Sequence, residues 1–162
     1  MTVHITNALK SVLGKDDADL LCSEFLNWKA TGEYDHYYFG KDSAYIAPPV
    51  NGEKYALRHV HLVPVLDAKQ IARWLRDFAR RSRKTSDRVL IYAKDTKGNY
   101  LLIYILTEPD AHKIATMKNQ TDKELMESFA KVAGDFMFDG SVVVYGRRRV
   151  ILGVLEREQQ AG

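Results

Sequence analysis

Leu21, Phe25 and Trp28 follow one another at steps of four and three, so they share one side of a helix. Asp16 begins it, Asp17 and Asp19 place negative charge in its first turn, and Gly32 ends it. From Glu33 to Leu57 the periodicity stops: Tyr34, Tyr37, Tyr38, Tyr45, Pro48, Pro49 and Gly52 describe a long aromatic loop with at most short strands. His59-Val60-His61-Leu62-Val63 is a short β-prone run closed by Pro64 and reads as a strand. Asp67 then caps a helix whose apolar positions Ile71, Trp74, Leu75 and Phe78 fit an amphipathic helix laid on a sheet. Val89 to Lys94 and Tyr100 to Thr107 are apolar on both faces and joined by a polar turn, the pattern of a buried hairpin at the centre of an antiparallel sheet.

The remaining segments are less regular. Asp110 to Gln120 is a polar connector with room for one turn of helix. Thr121 and Glu124 form a capping box ahead of Leu125, Phe129, Val132 and Phe136, which predict an amphipathic helix stopped near Gly140. Val142 to Tyr145 and Val150 to Leu155 flank Gly146 and Arg147 to Arg149, a second hairpin with a basic turn, and residues 156–162 read as a frayed tail. The order predicts a small α+β fold: one domain over residues 1–162, an antiparallel sheet packed with helices, and an extra C-terminal β-hairpin.

Composition narrows the class. A chain of 162 residues, 46% hydrophobic and 28% charged, suits a single folded domain. One cysteine, Cys22, allows no disulfide framework and no thiolate zinc cluster; it lies on the apolar side of the first helix, where packing is its expected role. No apolar stretch approaches the roughly 20 residues of a membrane helix, and the N-terminus lacks the pattern of a signal peptide, so a cytoplasmic protein is expected.

Charge is unevenly spread. Residues 1–57 hold 5 bases and 8 acids, residues 58–107 hold 11 and 4, and residues 108–162 hold 8 and 9. In the basic segment Lys69, Arg73, Arg76, Arg80 and Arg83 recur at helical steps, with Asp77 the only acid between Ala68 and Thr85. That ridge reads either as a solvated helix face or as a surface that neutralises a run of RNA phosphates.

No phosphate loop, dinucleotide fingerprint, nucleophile elbow or HExxH sequence is present. The histidines carry more information. His59 and His61 are two apart on a strand, which puts both rings on one sheet face about 7 Å apart. His112, with Lys113, sits in the polar connector after the hairpin. Three readings follow: partly buried strand histidines with hydrogen bonds, a metal site built on HxH plus His112, or acid–base work on a phosphodiester with no metal or other cofactor.

Several blocks together resemble the YafO family of bacterial type II toxins. They are Phe39-Gly40-Lys41-Asp42-Ser43-Ala44-Tyr45, Arg58-His59-Val60-His61-Leu62, Leu101 to Leu106, His112-Lys113-Ile114-Ala115 and Asn119-Gln120. The similarity spans residues 15–138 and leaves residues 139–162 as an extension; Ala111 stands where the family can have proline. The resemblance implies a ribosome-associated endoribonuclease that cleaves mRNA during translation and is neutralised by a cognate antitoxin protein. It also implies an architecture comparable to the RelE-like interferases. His59, His61, His112, Lys113, Asn119, Gln120, Asp42 and Tyr45 match the family pattern. The resemblance carries no roles with it; from their own chemistry the expected catalytic groups are His112, His61 and Lys113, with His59 in second place. Tyr45, Asp42, Asn119, Gln120 and the Lys69 to Arg83 ridge are expected to hold RNA, with Tyr45 offering a ring to a base. The competing expectation is a module that blocks translation by occupying the ribosome without cutting RNA.

Overall fold

The computed structural model describes residues 1–139. The expected second hairpin and tail, residues 142–162, lie outside them. Five strands and five helices follow in the order β1 (Val3–Ile5), α1 (Asn7–Leu13), α2 (Lys15–Thr31), β2 (Phe39–Ala44), β3 (Arg58–Leu62), α3 (Ala68–Ala79), β4 (Val89–Lys94), β5 (Tyr100–Leu106), α4 (Ala111–Ala115) and α5 (Gln120–Asp139).

The strands form one sheet in the order β1-β5-β4-β3-β2. The β4–β5 hairpin lies inside it, as its apolar faces predict, and its turn is built by Asp95, whose Oδ1 accepts from the Lys97 and Asn99 amides at 2.9 and 2.8 Å. The sheet is mixed rather than wholly antiparallel, because β1 adds to β5 in parallel, Val3 facing Tyr100. Thr6 fixes that addition: its hydroxyl donates to Ile103 O at 2.7 Å and accepts from Leu9 N, capping α1.

Each side of the sheet has its own core. Val60, Leu62, Leu90, Tyr92 and Leu102 meet Phe25 and Trp28 of α2. Val89, Ile91, Leu101 and Ile103 meet Met126, Phe129, Ala133 and Phe136 of α5. Period-two alternation assigns the odd and even residues of β3 and β4 to opposite sides, so His59 and His61, paired with Ile91 and Val89, share the α5 side.

One local expectation is sharpened and three are corrected. The aromatic segment 33–57 contains the six-residue strand β2, whose Gly40 has no room for a side chain: a Cβ there would lie 2.3 Å from Lys84 O. The basic helix α3 buries less of its apolar side than the pattern predicts. Of its apolar residues only Trp74 is fully buried, donating its indole N–H to Tyr37 O at 2.8 Å, whereas Leu75 is 49% exposed. Arg80 is already the C-cap of α3, so Arg83 falls beyond the helix and the five-base ridge is shorter than its spacing predicts. Finally, Asn119 instead of Thr121 caps α5, its Oδ1 accepting from Asp122 N at 2.8 Å. No helix among the described residues is long and apolar enough to cross a membrane.

Candidate active site

At the edge of the α5 core the sheet opens into a cleft of about 210 Å³. β3 supplies His59 and His61, β2 supplies Lys41, the residue after it is Tyr45, the run before β4 supplies Thr85, Ser86 and Asp87, and α4 supplies His112. Three histidines that lie up to 53 positions apart in the chain therefore line one concave surface.

Each ring is held differently. The Nδ1 of His61 lies 2.7 Å from Ser86 O and 2.9 Å from Ser86 N, which leaves Nε2 as the nitrogen free for a ligand. Burial, the charge of Lys41 and neighbouring His112 hold His61 below the ordinary imidazole range, partly offset by the Ser86 carbonyl. His61 is thus a neutral imidazole near pH 7, able to take a proton. His59 is stacked on Tyr45 with ring centres 4.0 Å apart, and its Nδ1 is buried without a partner. Burial first, then His61 and the Lys41 and Arg58 charges, push it down to about 4. His112 is exposed, and its backbone N–H donates to Asp87 Oδ1 at 2.7 Å. The Asp87 amide in turn donates to Gln70 Oε1 at 2.8 Å, which links the first turn of α3 to α4 across the cleft.

The other expected residues are distributed elsewhere. Lys113 is exposed and is not part of the cleft wall. Asn119 is occupied as the α5 cap, and Gln120 Nε2 donates to Glu124 Oε1 at 3.1 Å. Tyr45 reaches the cleft, but His59 covers one face of its ring. Asp42 lies on the opposite side of the sheet. There it accepts from Tyr92 OH at 2.6 Å, Arg58 Nη2 at 3.2 Å and Lys29 Nζ at 3.4 Å. On and just after α3, Lys69, Arg73 and Arg80 form no side-chain ion pair among the described residues, although the charge of Lys69 bears on Asp67, whereas Arg76 sits 3.8 Å from Asp77 and Arg83 pairs with Glu33 at 3.0 Å.

Lys41, Ser86 and Asp87 are site residues that sequence reasoning did not single out. Lys41 lies beside Asp42 in a strand with no apolar rhythm, and Ser86 and Asp87 lie in coil, so periodicity carries no signal for any of them. The only sequence pointer to Lys41 is its place in the Phe39 to Tyr45 block. Among the described residues no group of three His, Cys, Asp or Glu side chains is arranged to hold a metal ion, so the three cleft imidazoles do not converge as ligands.

The family model for toxin YafO, type II toxin-antitoxin system, matches residues 26–138, which include every described cleft residue. Comparison with curated proteins and with solved structures found no match. The chain belongs to the YafO toxin family: it is the toxin of a type II toxin–antitoxin pair, and the family implies a cognate antitoxin partner.

Proposed function

We propose that this toxin is an endoribonuclease that cleaves mRNA on the ribosome, with the histidine cleft as its active site. The observation that carries this reading is the meeting of His61, His112 and Lys41 in one cleft large enough for a phosphodiester and its neighbouring ribose. Cleavage of RNA by its own 2′-OH needs a base, an acid and a cation, and no redox or carrier chemistry. His61, neutral near pH 7, removes the 2′-hydroxyl proton through Nε2 as the 2′ oxygen bonds to phosphorus. His112 gives a proton to the 5′ oxygen as the P–O5′ bond breaks. The products are a 2′,3′-cyclic phosphate and a 5′-hydroxyl. Lys41, whose charge already bears on both strand imidazoles, stabilises the extra negative charge on the phosphorane.

His59 is neutral and stacked, which suits a wall that orients the others more than a proton donor. Lys113 and the α3 cations belong to the approach path. The Gln70 to Asp87 hydrogen bond sets the start of α3 beside the cleft, so RNA phosphates leaving the site meet Lys69 and Arg73 next. Ribosome dependence and a cytoplasmic site of action are further parts of the proposal, drawn from the family rather than from the cleft.

Primer extension on a defined mRNA in a purified translation system tests the reading, comparing the wild type with His112→Ala and His61→Ala, with and without ribosomes. Cuts that need ribosomes and both histidines, with cyclic phosphate at the new 3′ ends, are expected. Translation arrest without cuts, unchanged in both variants, would replace it with non-catalytic ribosome occupation through the α3 cations.

A further inference from the structure

We propose that Ser86 is the positioning residue of His61: it holds the ring in one orientation whether Nδ1 carries a proton or not. The inference rests on the reading of His61 as the base. A histidine that takes a proton at Nε2 keeps its proton at Nδ1, whereas the other neutral tautomer carries its proton at Nε2 and leaves Nδ1 bare. With Nδ1 protonated it needs an acceptor, and with Nδ1 bare it needs a donor. A ring served by only one of these is free to turn or flip in the other state.

Residue 86 supplies both from its own backbone. Ser86 O lies 2.7 Å and Ser86 N lies 2.9 Å from the same Nδ1. The base-ready tautomer and the imidazolium it becomes both donate from Nδ1 to the carbonyl, and the other neutral tautomer, with its proton on Nε2, accepts from the amide, so a proton reaches Nε2 without rotation of the ring. The side chain of Ser86 fixes that backbone: its hydroxyl donates to Leu62 O at 2.5 Å and accepts from Arg88 N at 3.2 Å, where β3 and the run into β4 meet. Ser86 is only 8% exposed, so solvent does not compete for these bonds. The charged and titratable groups that face His61 are Lys41 from β2, His59 from β3, Asp87 beside β4 and His112 from α4. Among the described residues the hydrogen bonds at Nδ1 come from Ser86 and from none of these four groups.

Nitrogen-15 NMR of the His61 ring, followed through a pH titration in the wild type, Ser86→Ala and Ser86→Thr, tests this alongside single-turnover cleavage. In the wild type a slowly exchanging, hydrogen-bonded Nδ1 proton is expected. In Ser86→Ala the carbonyl remains but the hydroxyl that fixes it is gone, so the charged ring meets a poorly placed acceptor, the His61 midpoint falls and the cleavage rate drops about tenfold at unchanged ribosome affinity. Ser86→Thr, which keeps the hydroxyl, restores both. A His61 ring with no protected Nδ1 proton in the wild type, or one whose midpoint is unmoved in Ser86→Ala while only stability falls, would overturn the proposal. Retention of cleavage by His61→Ala would refute the nuclease assignment of His61 instead, and the NMR arm would still decide whether Ser86 anchors the ring.

Discussion

Arg58 and His59 are neighbours on β3 and face opposite sides of the sheet, and the polar clusters they enter close in different ways. On the α2 side Asp42 accepts from Tyr92, Arg58 and Lys29, while Tyr92 OH also accepts from Arg58 Nε at 3.1 Å and from Lys29 at 3.3 Å. Lys29 is further held over the Trp28 ring at 4.0 Å. Donors and acceptors there satisfy one another, and the cluster turns inward. On the α5 side His59 Nδ1 has no partner, Nε2 of His61 is left over after Ser86 has engaged Nδ1, and the imidazole of His112 stands at an exposed position. A closed network rigidifies a fold, whereas an open one retains groups that a substrate can use. Both clusters fall within residues 26–138, which the family model matches, so matching alone does not separate scaffold from chemistry.

Paired substitutions separate the two most widely. His112→Ala is expected to lower cleavage about a thousandfold with an unchanged urea midpoint, because the side chain is exposed. Asp42→Ala is expected to do the reverse, costing about 3 kcal/mol by leaving Lys29 and Arg58 without their carboxylate, while folded protein still cuts. Loss of cleavage by stably folded Asp42→Ala would break the comparison.

The next effect is on stability against pH. His59 is held down to about 4, below the ordinary value of 6.5. Between those values the unfolded chain binds a proton that the folded chain refuses, so stability is present above pH 6.5 and is lost as pH falls toward 4. The loss is roughly 2–3 kcal/mol. Denaturation of His59→Gln across that window should show a flatter slope than the wild type. A smaller effect belongs to Lys41→Met: cleavage falls about tenfold to a hundredfold, and the His61 midpoint rises because a neighbouring positive charge is gone. The acid limb of the cleavage profile should move up with it. An unmoved limb would place Lys41 outside the site.

The segments legible in the sequence are those whose burial follows a period. The hairpin of β4 and β5, the apolar sides of α2 and α5, and the placement of His59 and His61 on one face all follow from alternation or helical spacing. β1 escaped because three residues, Val3, His4 and Ile5, show too short an alternation to weigh, and its role depends on a partner 97 positions away. β2 escaped because its residues answer to neighbours and not to a period: Gly40 makes way for Lys84 O and Trp74, and Asp42 points a charge at Tyr92. For the site, chemistry-bearing residue types were visible and their convergence was not. His112 and the two strand histidines signalled themselves, whereas Lys41, Ser86 and Asp87 acquire meaning only from contacts between distant segments. Periodicity also overextended the α3 ridge, since a spacing of three and four does not reveal that the helix stops at Ala79.

The way the cleft is assembled has a consequence for the order in which it forms. Its walls come from positions 41 to 115, and the core behind them is completed by α5, which runs to Asp139. Asn51, at the tip of the segment between β2 and β3, donates to Gly134 O at 3.2 Å, and a Cβ at position 134 would lie 2.8 Å from its Oδ1. A chain emerging from the ribosome thus gains its third imidazole late and its supporting helix later still. Until α5 has emerged, the core behind the cleft stays open.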